Sequence, residues 1–236
     1  MTAPELAVVV PTRDRPAALA HCLAALAAQR DVTLEVVVVD DASVDPAAVE
    51  AVVAAHLPGA RIVRAAGRGP AAARNLGVAR AHTPFVALTD DDCRPAPNWA
   101  ATLLGRLRQD ARVVAGPTMV ADAHDPFARA AQTITNAVVD SSFAADRSSV
   151  GFAPTSNLAF AVEVHRALAF DETYPLAAGE DRDWCDRVVA SGTHIAWEPR
   201  ARVDHAPAPG WRGFWHQQRR YGRGARVYHR NRTAGR

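Results

Sequence analysis

An α/β fold with a mainly parallel sheet flanked by helices is what this sequence predicts, and three observations predict it. Short apolar runs without alternation recur at residues 6–10, 34–39 and 85–88. A strand that is apolar on both faces is one covered on both faces, the condition of a parallel sheet between helices. Segments with helical spacing of their apolar residues fill the gaps between these runs. Acidic or glycine-rich clusters stand at the C-terminal edges of the runs, where open α/β sheets bind their ligands.

The first strand, Leu6-Ala7-Val8-Val9-Val10, gives way to a polar loop, Pro11-Thr12-Arg13-Asp14-Arg15-Pro16. Asp14 is placed to cap the next helix, with proline in its first turn; Leu19, Cys22, Leu23 and Leu26 mark that helix's buried face. Residues 34–39 form the second strand and end in Asp40-Asp41-Ala42-Ser43. Val49, Val52 and Val53 mark the second helix, and Arg61-Ile62-Val63-Arg64 a shorter third strand. Gly67-Arg68-Gly69-Pro70 is a glycine turn opening a helix through Gly77. Residues 85–88 are the fourth strand, which breaks straight into Asp90-Asp91-Asp92. Trp99, Leu103 and Leu107 supply one more helical face, and residues 112–115 one more strand.

From Gly116 the pattern changes. Residues 117–150 mix Asp, Ser and Ala with isolated apolar residues, with one weak helix near 127–139; the composition suits a mobile, substrate-facing segment. Residues 157–161 read as a strand followed by a short helix. Gly179-Glu180-Asp181 opens a helix with Trp184, Val188 and Val189 on its apolar side, stopped by Ser191-Gly192. Residues 194–197 and 202–205 are short strands. Beyond Pro207 and Pro209, residues 210–230 form an arginine- and aromatic-rich helix.

Composition narrows the function classes. The hydrophobic share is 49% over 236 residues, enough for a packed core and against global disorder. The net charge of +2 carries no message by itself, and all the basic charge apart from histidine is arginine. From Arg200 onward ten arginines face one acid, Asp204. Three well-separated cysteines with no CxxC spacing suggest neither a disulfide framework nor a zinc site. No leader-like segment or apolar run of membrane-spanning length is visible, so a cytoplasmic protein is expected, with surface contact with a membrane through the basic C-terminal segment left open.

Three adjacent carboxylates repel one another unless a divalent cation or a ligand's donors share the charge; the bland alternative is a solvated acidic turn. A ligand across the strand edges would meet Thr12, Asp41, Arg74 and Asp90 to Asp92 together. Carboxylates accept from ribose hydroxyls or a base N–H, and arginine offers paired donors to phosphate. The combination suits a nucleoside diphosphate. Glu180-Asp181 reads either as favourable placement of acid at a helix N-terminus or as a general base. His205 reads as a structural histidine or, near an acid-held cation, as a metal ligand.

With these residues assembled, the chain resembles the family 2 glycosyltransferases of the GT-A fold. Val8-Val9-Val10-Pro11-Thr12-Arg13 resembles the family's opening strand and loop, and Val38-Val39-Asp40-Asp41-Ala42-Ser43 its "VVDDgS" element. Ala72-Ala73-Arg74-Asn75-x-Gly77 is similar to "aRN.G", and Asp90-Asp91-Asp92 to the D-x-D signature. Asn157-Leu158-Ala159 is similar to the acceptor-side strand, Gly179-Glu180-Asp181 to the "ED" motif, Val203-x-His205 to the metal-ligand histidine, and Gln217-x-x-Arg220-Tyr221 to "QxxRW" with Tyr for Trp. The resemblance implies a Rossmann-like, mainly parallel sheet with a mixed acceptor-side half. It divides the chain into a nucleotide-sugar-binding half (1–116), an acceptor-binding and catalytic half (117–209) and a basic helical segment (210–236). It implies inverting transfer of a sugar from a UDP-, GDP- or dTDP-linked donor to a small-molecule, glycan or lipid-linked acceptor. Asp181 would be the base. Pro11, Thr12, Arg13, Asp41, Arg74, Asp90 and Asp91 would bind the donor. Asp90, Asp92 and His205 would hold Mg²⁺ or Mn²⁺, with Asp91 the alternative to Asp92. Asn157, Glu180 and Arg220 would contact acceptor or diphosphate.

Three rivals remain. Gly67-x-Gly69-x-x-Ala72 matches a relaxed dinucleotide fingerprint, as in an oxidoreductase. Against it, the turn follows the third strand rather than the first, Pro70 removes a donor, and a single ribose-binding acid would be expected rather than three. The arginine-rich tail could make an anionic-membrane or nucleic-acid module, although no nucleic acid is expected from the whole pattern. Arg13 and Arg15 leave a nucleotidyltransferase open.

Overall fold

The structure, a computed structural model, describes residues 3–122, 124–174, 178–206 and 210–233. Pro207 and Pro209, the expected break before the last helix, lie outside them. Strands β1 (Leu6–Thr12), β2 (Leu34–Asp40), β3 (Arg61–Arg64) and β4 (Phe85–Leu88) form where the apolar runs predict. They lie parallel in the order β3-β2-β1-β4.

Strand alternation divides the core into two layers. Val8, Val10, Val36 and Val38 face helices α1 (Pro16–Ala27), α2 (Pro46–His56) and α4 (Trp99–Gln109). Val9, Val37 and Val39 face helix α3 (Pro70–Arg80) on the other side. Burying each such side chain stabilises the fold by ~1.5–3 kcal/mol. Helix α3 lies close on the sheet because Gly77 has no side chain; a Cβ there would stand 2.3 Å from Val9 Cγ1.

Helices α1, α2 and α3 each begin with proline, whose fixed φ and missing N–H suit the first helical position. The expected cap of α1 by Asp14 is not made. Asp14 has φ +54°, and Arg15 takes the N-cap position without a side-chain bond to the helix. Asp14 Oδ1 instead accepts from the Val44 N–H at 2.7 Å, and its own N–H donates to Ser43 Oγ at 2.9 Å. Asp14 thereby stitches the β1 and β2 loops together.

The second half of the sheet is mixed. Strand β9 (Leu158–Ala161) runs antiparallel between β4 and β6 (Val113–Ala115). Beyond β6 lie β10 (Ile195–Trp197), parallel to it, and β8 (Ser149–Val150). A second sheet holds β5 (Cys93–Pro95), β11 (Val203–His205) and β7 (Thr118–Val120). Strands β5, β7 and β8 were not legible in the sequence. Each is two or three residues long, too short for a period.

The remaining helices are α5 (Pro126–Asp140), α6 (Val162–Ala167), α7 (Glu180–Ala190) and α8 (Gly210–Thr233). Helix α5 is longer and better formed than its weak sequence pattern suggests, with Asp125 accepting from the N–H groups of Phe127 and Ala128 at its start. Among the described residues no helix is long and apolar enough to cross a membrane. All three cysteines are buried and unpaired.

Candidate active site

The loops at the C-terminal edges of β1, β2 and β4 open into a cavity of about 610 Å³. Pro11, Thr12, Arg13, Asp41, Arg74 and all three aspartates of 90–92 line it from the sheet side. Glu180, Asp181, His205 and Arg220 line it from the other half. The structure therefore brings together every site residue expected from the sequence except Asn157.

The three aspartates do not act as one cluster. The Arg74 guanidinium donates to Asp90 Oδ1 at 2.7 Å. Asp91, only 3% exposed, accepts from Thr12 Oγ1 at 2.8 Å and meets Arg15 Nη1 at 2.8 Å. Asp92 meets Arg15 Nη2 at 2.6 Å and stands 3.4 Å from His205 Nε2. Burial pushes the Asp91 carboxyl up to about 7 against the pull of Arg15. Burial acts the same way on Asp92, but His205 and Arg15 outweigh it and hold that carboxyl well below the usual range. Arg15 is thus a shared partner of two acids, a role the sequence did not reveal: the spacing between loop and acid run says nothing about which strands are neighbours.

His205 reaches Asp92 through the small sheet. In the β11–β5 pairing His205 stands opposite Cys93, and the Ala206 N–H donates to the Asp92 carbonyl at 2.8 Å. On its other side, His205 Nδ1 lies 2.9 Å from Gln132 Oε1. An amide oxygen only accepts, so Nδ1 carries the proton and donates to it. The Nε2 lone pair then faces an Asp92 oxygen, and two facing acceptors need a cation between them. Burial lowers the His205 value, but Asp92 outweighs it and raises it, which favours a proton at this place. A divalent metal fits the same requirement, with Gln132 fixing the ligating tautomer. Gln132 was missed because it lies in the stretch with no readable period. Asp90, expected beside Asp92 as a metal ligand, is turned to Arg74 instead. Among the described residues no three His, Cys, Asp or Glu side chains converge as a self-contained metal cage.

Arg74 ties the two walls of the cavity together. It is 3% exposed, and its second guanidinium nitrogen donates to Glu180 Oε1 at 2.9 Å. Glu180 is the first residue of α7, and Oε2 of Glu180 and Nε of Arg74 are buried without hydrogen-bond partners. Asp181 follows on the cavity wall, its Oδ1 accepting from the Arg182 N–H at 2.8 Å. Burial, and after it the neighbouring Glu180 charge, push the Asp181 carboxyl up to about 7. A carboxyl near neutrality, facing a cavity, is suited to taking a proton.

Asp41 accepts from the N–H groups of Arg68 at 3.2 Å and Gly69 at 2.9 Å. Gly69, with φ +94°, caps α3. These two N–H groups belong to the glycine turn that leads into α3, and here a carboxylate takes them. Arg13 stands at the rim beside Asp14, at 3.7 Å. Arg220 reaches the cavity from α8.

Asn157 is the residue the structure places elsewhere. It is fully buried under the sheet; its amide donates to the carbonyls of Pro117 and Ala201 and accepts from Trp99 Nε1 at 2.8 Å. Every polar atom of that side chain is spent on joining loops and α4, which leaves none for a ligand.

Residues 7–167 match the family described as Glycosyl transferase family 2. The chain belongs to this family. The match ends before Glu180, His205 and α8, so those residues rest on geometry. A pre-mycofactocin glycosyltransferase of Mycobacterium tuberculosis is 31% identical over 206 residues, which are 85% of this chain and 42% of that protein. The chain thus spans about two fifths of the length of that relative. Among solved structures, a mannosyltransferase of Pyrobaculum calidifontis in complex with GDP-Man and Mn²⁺ aligns with TM-score 0.72 and 24% identity, covering 93% of this chain and 61% of that one. The S. aureus TarS fragment 1–349 in complex with UDP aligns with TM-score 0.64 and 17% identity, covering 92% and 64%. At these identities the structural likeness establishes the shared fold, a mainly parallel sheet flanked by helices.

Proposed function

We propose that this chain is an inverting glycosyltransferase that moves a sugar from a nucleoside diphosphate donor to an acceptor hydroxyl, with Asp181 as general base. The observation that carries the reading is that one cavity holds Asp181 on one wall and Asp41, Arg74 and Asp90 to Asp92 on the other. In this reading Pro11, Thr12, Arg13 and Asp41 hold the nucleoside, and Asp90 reaches the ribose. Asp91 is spent on Thr12 and Arg15, so it acts on the donor by orienting Arg15.

Asp181 takes the proton of the acceptor hydroxyl while that oxygen forms its bond to the anomeric carbon. The bond from that carbon to the diphosphate oxygen breaks on the opposite face, and its electron pair leaves with the nucleoside diphosphate. Arg74 and Arg220 add positive charge toward the leaving group. Asp92 and His205, with Gln132 behind them, would hold Mg²⁺ or Mn²⁺; such a cation, when bound, stabilises the diphosphate's negative charge. That a fold relative was solved with GDP-Man and Mn²⁺ and another with UDP supports this donor class. A small-molecule, glycan or lipid-linked acceptor follows.

Calorimetric titration with UDP, GDP and dTDP, with and without Mn²⁺, tests the reading. Binding of one nucleotide that tightens with metal is expected. Binding of NAD(P) in preference to all three would replace the reading by the oxidoreductase one, which the use of the Arg68 and Gly69 N–H groups by Asp41 disfavours. Exposed Trp211 and Trp215 on the arginine-rich α8 favour one additional contact, with an anionic membrane surface, and co-flotation with phosphatidylglycerol vesicles tests it.

A further inference from the structure

The cavity has a second half, beneath α8 and between α5 and α7, whose chemistry differs from that of the sheet side. Ile134 and Val138 line it from α5, four positions apart and so on one helix face. Phe152 closes it from the segment after β8, and Tyr221, Ala225 and Tyr228 form the α8 wall. Ile134 is 44% exposed although it lies inside a concavity. An open apolar side chain in a cavity gains free energy from an apolar ligand and nothing from water.

Both tyrosines present ring surface; Tyr228 spends its hydroxyl proton on Asp186, whereas Tyr221 keeps its own for the seam beside Asp181. Tyr221 Oη accepts from Gln217 Nε2 at 2.9 Å, and Tyr228 Oη donates to Asp186. Asp181 stands at the seam. One neighbour is Glu180 with its Arg74 partner; on the other side is the Tyr221 phenol, which burial, and after it the Asp181 charge, push up to about 12. A hydroxyl presented to Asp181 therefore has its own body lying in the apolar half. Thr135, Gln217 and His229 also line the cavity, but a polyhydroxylated or multiply charged body would leave groups unpaired against Ile134, Val138 and Phe152, at a cost.

We propose that this half selects acceptors by an apolar body, an aryl or alkyl group carrying the hydroxyl that Asp181 serves. The word acceptor rests on the glycosyl-transfer reading; the apolar subsite does not.

The probe is N-phenyl-1-naphthylamine, a neutral fluorophore, titrated into the full chain. Saturable binding is expected. Ile134→Asp should weaken it at least about tenfold, the scale of lost apolar pocket contacts. Ala225→Glu, an exposed change on the facing wall, should do the same, so the test does not hang on one variant. Trp215→Ala, outside the cavity, should leave it unchanged. Absence of saturable binding, or binding lost in Trp215→Ala and kept in both cavity variants, overturns the proposal. UDP, GDP and dTDP with Mn²⁺ are titrated into the same protein. Nucleotide binding without probe binding rejects the apolar subsite and leaves the transferase reading standing. Probe binding without nucleotide binding supports the subsite and rejects the transferase reading.

Discussion

The sheet-side and helix-side walls of the cavity are built on opposite principles. On the sheet side every acid of 90–92 is paired with a cation, Arg74 for Asp90 and one shared Arg15 for Asp91 and Asp92, at distances from 2.6 to 2.8 Å, and the backbone beneath is a run of fully buried valines. On the helix side apolar and ring surface from Ile134, Val138, Tyr221 and Tyr228 stands among scattered polar groups such as Thr135, Gln217 and Arg220, and apart from the N-terminus of α7 the lining comes from α5 and α8. A rigid parallel sheet can hold charges at fixed spacing because its strand ends are set by register. Packed helices supply a shaped apolar space more readily than a charge array. The two walls meet at Arg74, which bridges Asp90 after β4 and Glu180 at the head of α7. Asp181, the proposed base, thus stands on the helix wall, next to the Glu180 that Arg74 ties to the sheet wall.

The sharpest break of this comparison is at the base. Asp181→Asn keeps the shape and removes proton acceptance, so kcat should fall by ~10²–10⁴-fold, the usual worth of a general base. Donor nucleotide affinity, which belongs to the sheet wall, should stay within error. A kcat near the parent value would move the base elsewhere.

Cutting the tether comes next. Arg74→Met leaves Glu180 and Asp90 facing each other without their cation. Removing one partner of a buried ion pair costs ~3–5 kcal/mol, so the urea midpoint should drop sharply. An unchanged midpoint would mean the two walls are held together by apolar packing alone.

Most of the sheet wall and the acids at the head of α7 were legible in advance; Arg15 and Gln132 were not, for physical reasons. Residues 34–39 announce a buried strand by composition, and Asp40-Asp41 mark its edge, since strand period and burial are written locally. Arg15 and Gln132 carry no such mark. Their roles depend on which loops the topology brings together: Arg15 meets Asp91 across parallel neighbours β1 and β4, and Gln132 meets His205 through a second sheet of three-residue strands. Asn157 shows the converse error. It stands in a motif-like setting, yet its bonds to Pro117, Ala201 and Trp99 make it a structural joint.

Two smaller changes probe the acceptor half and the cation site in turn. Gly224 brings α8 against the loop before α7 so closely that a Cβ would stand 2.1 Å from the Ala178 carbonyl oxygen. Gly224→Ala forces α8 outward, at ~1–3 kcal/mol for overpacking. Acceptor KM should rise while nucleotide binding holds; an effect on nucleotide binding alone would invert the division of labour. From α5, Gln132→Leu acts on the proposed cation site by removing the acceptor that holds His205 Nδ1–H. Losing such a support costs ~10–100-fold in metal affinity, read as a higher Mn²⁺ concentration for half-maximal nucleotide binding. No change would place the cation site away from His205.

The pH dependence tests whether the base belongs to both walls at once. Asp181 is raised to about 7, first by burial and then by Glu180. As a base it must be ionised, so kcat/KM should fall about tenfold for each pH unit below that value and level off above it. A carboxyl that holds its proton more tightly folded than unfolded contributes to stability fully below the ordinary carboxylate range. That contribution is lost as pH rises through about 7, so stability and activity should move in opposite directions across the same window. Asp91 also titrates near 7, but it is enclosed by Thr12 and Arg15. Glu180→Gln separates the two: it keeps an oxygen for Arg74 and removes the charge beside Asp181. The acid limb of the rate profile should then move to lower pH, because burial remains and the repulsion is gone. A limb that stays in place would assign it to Asp91 and to the sheet wall alone.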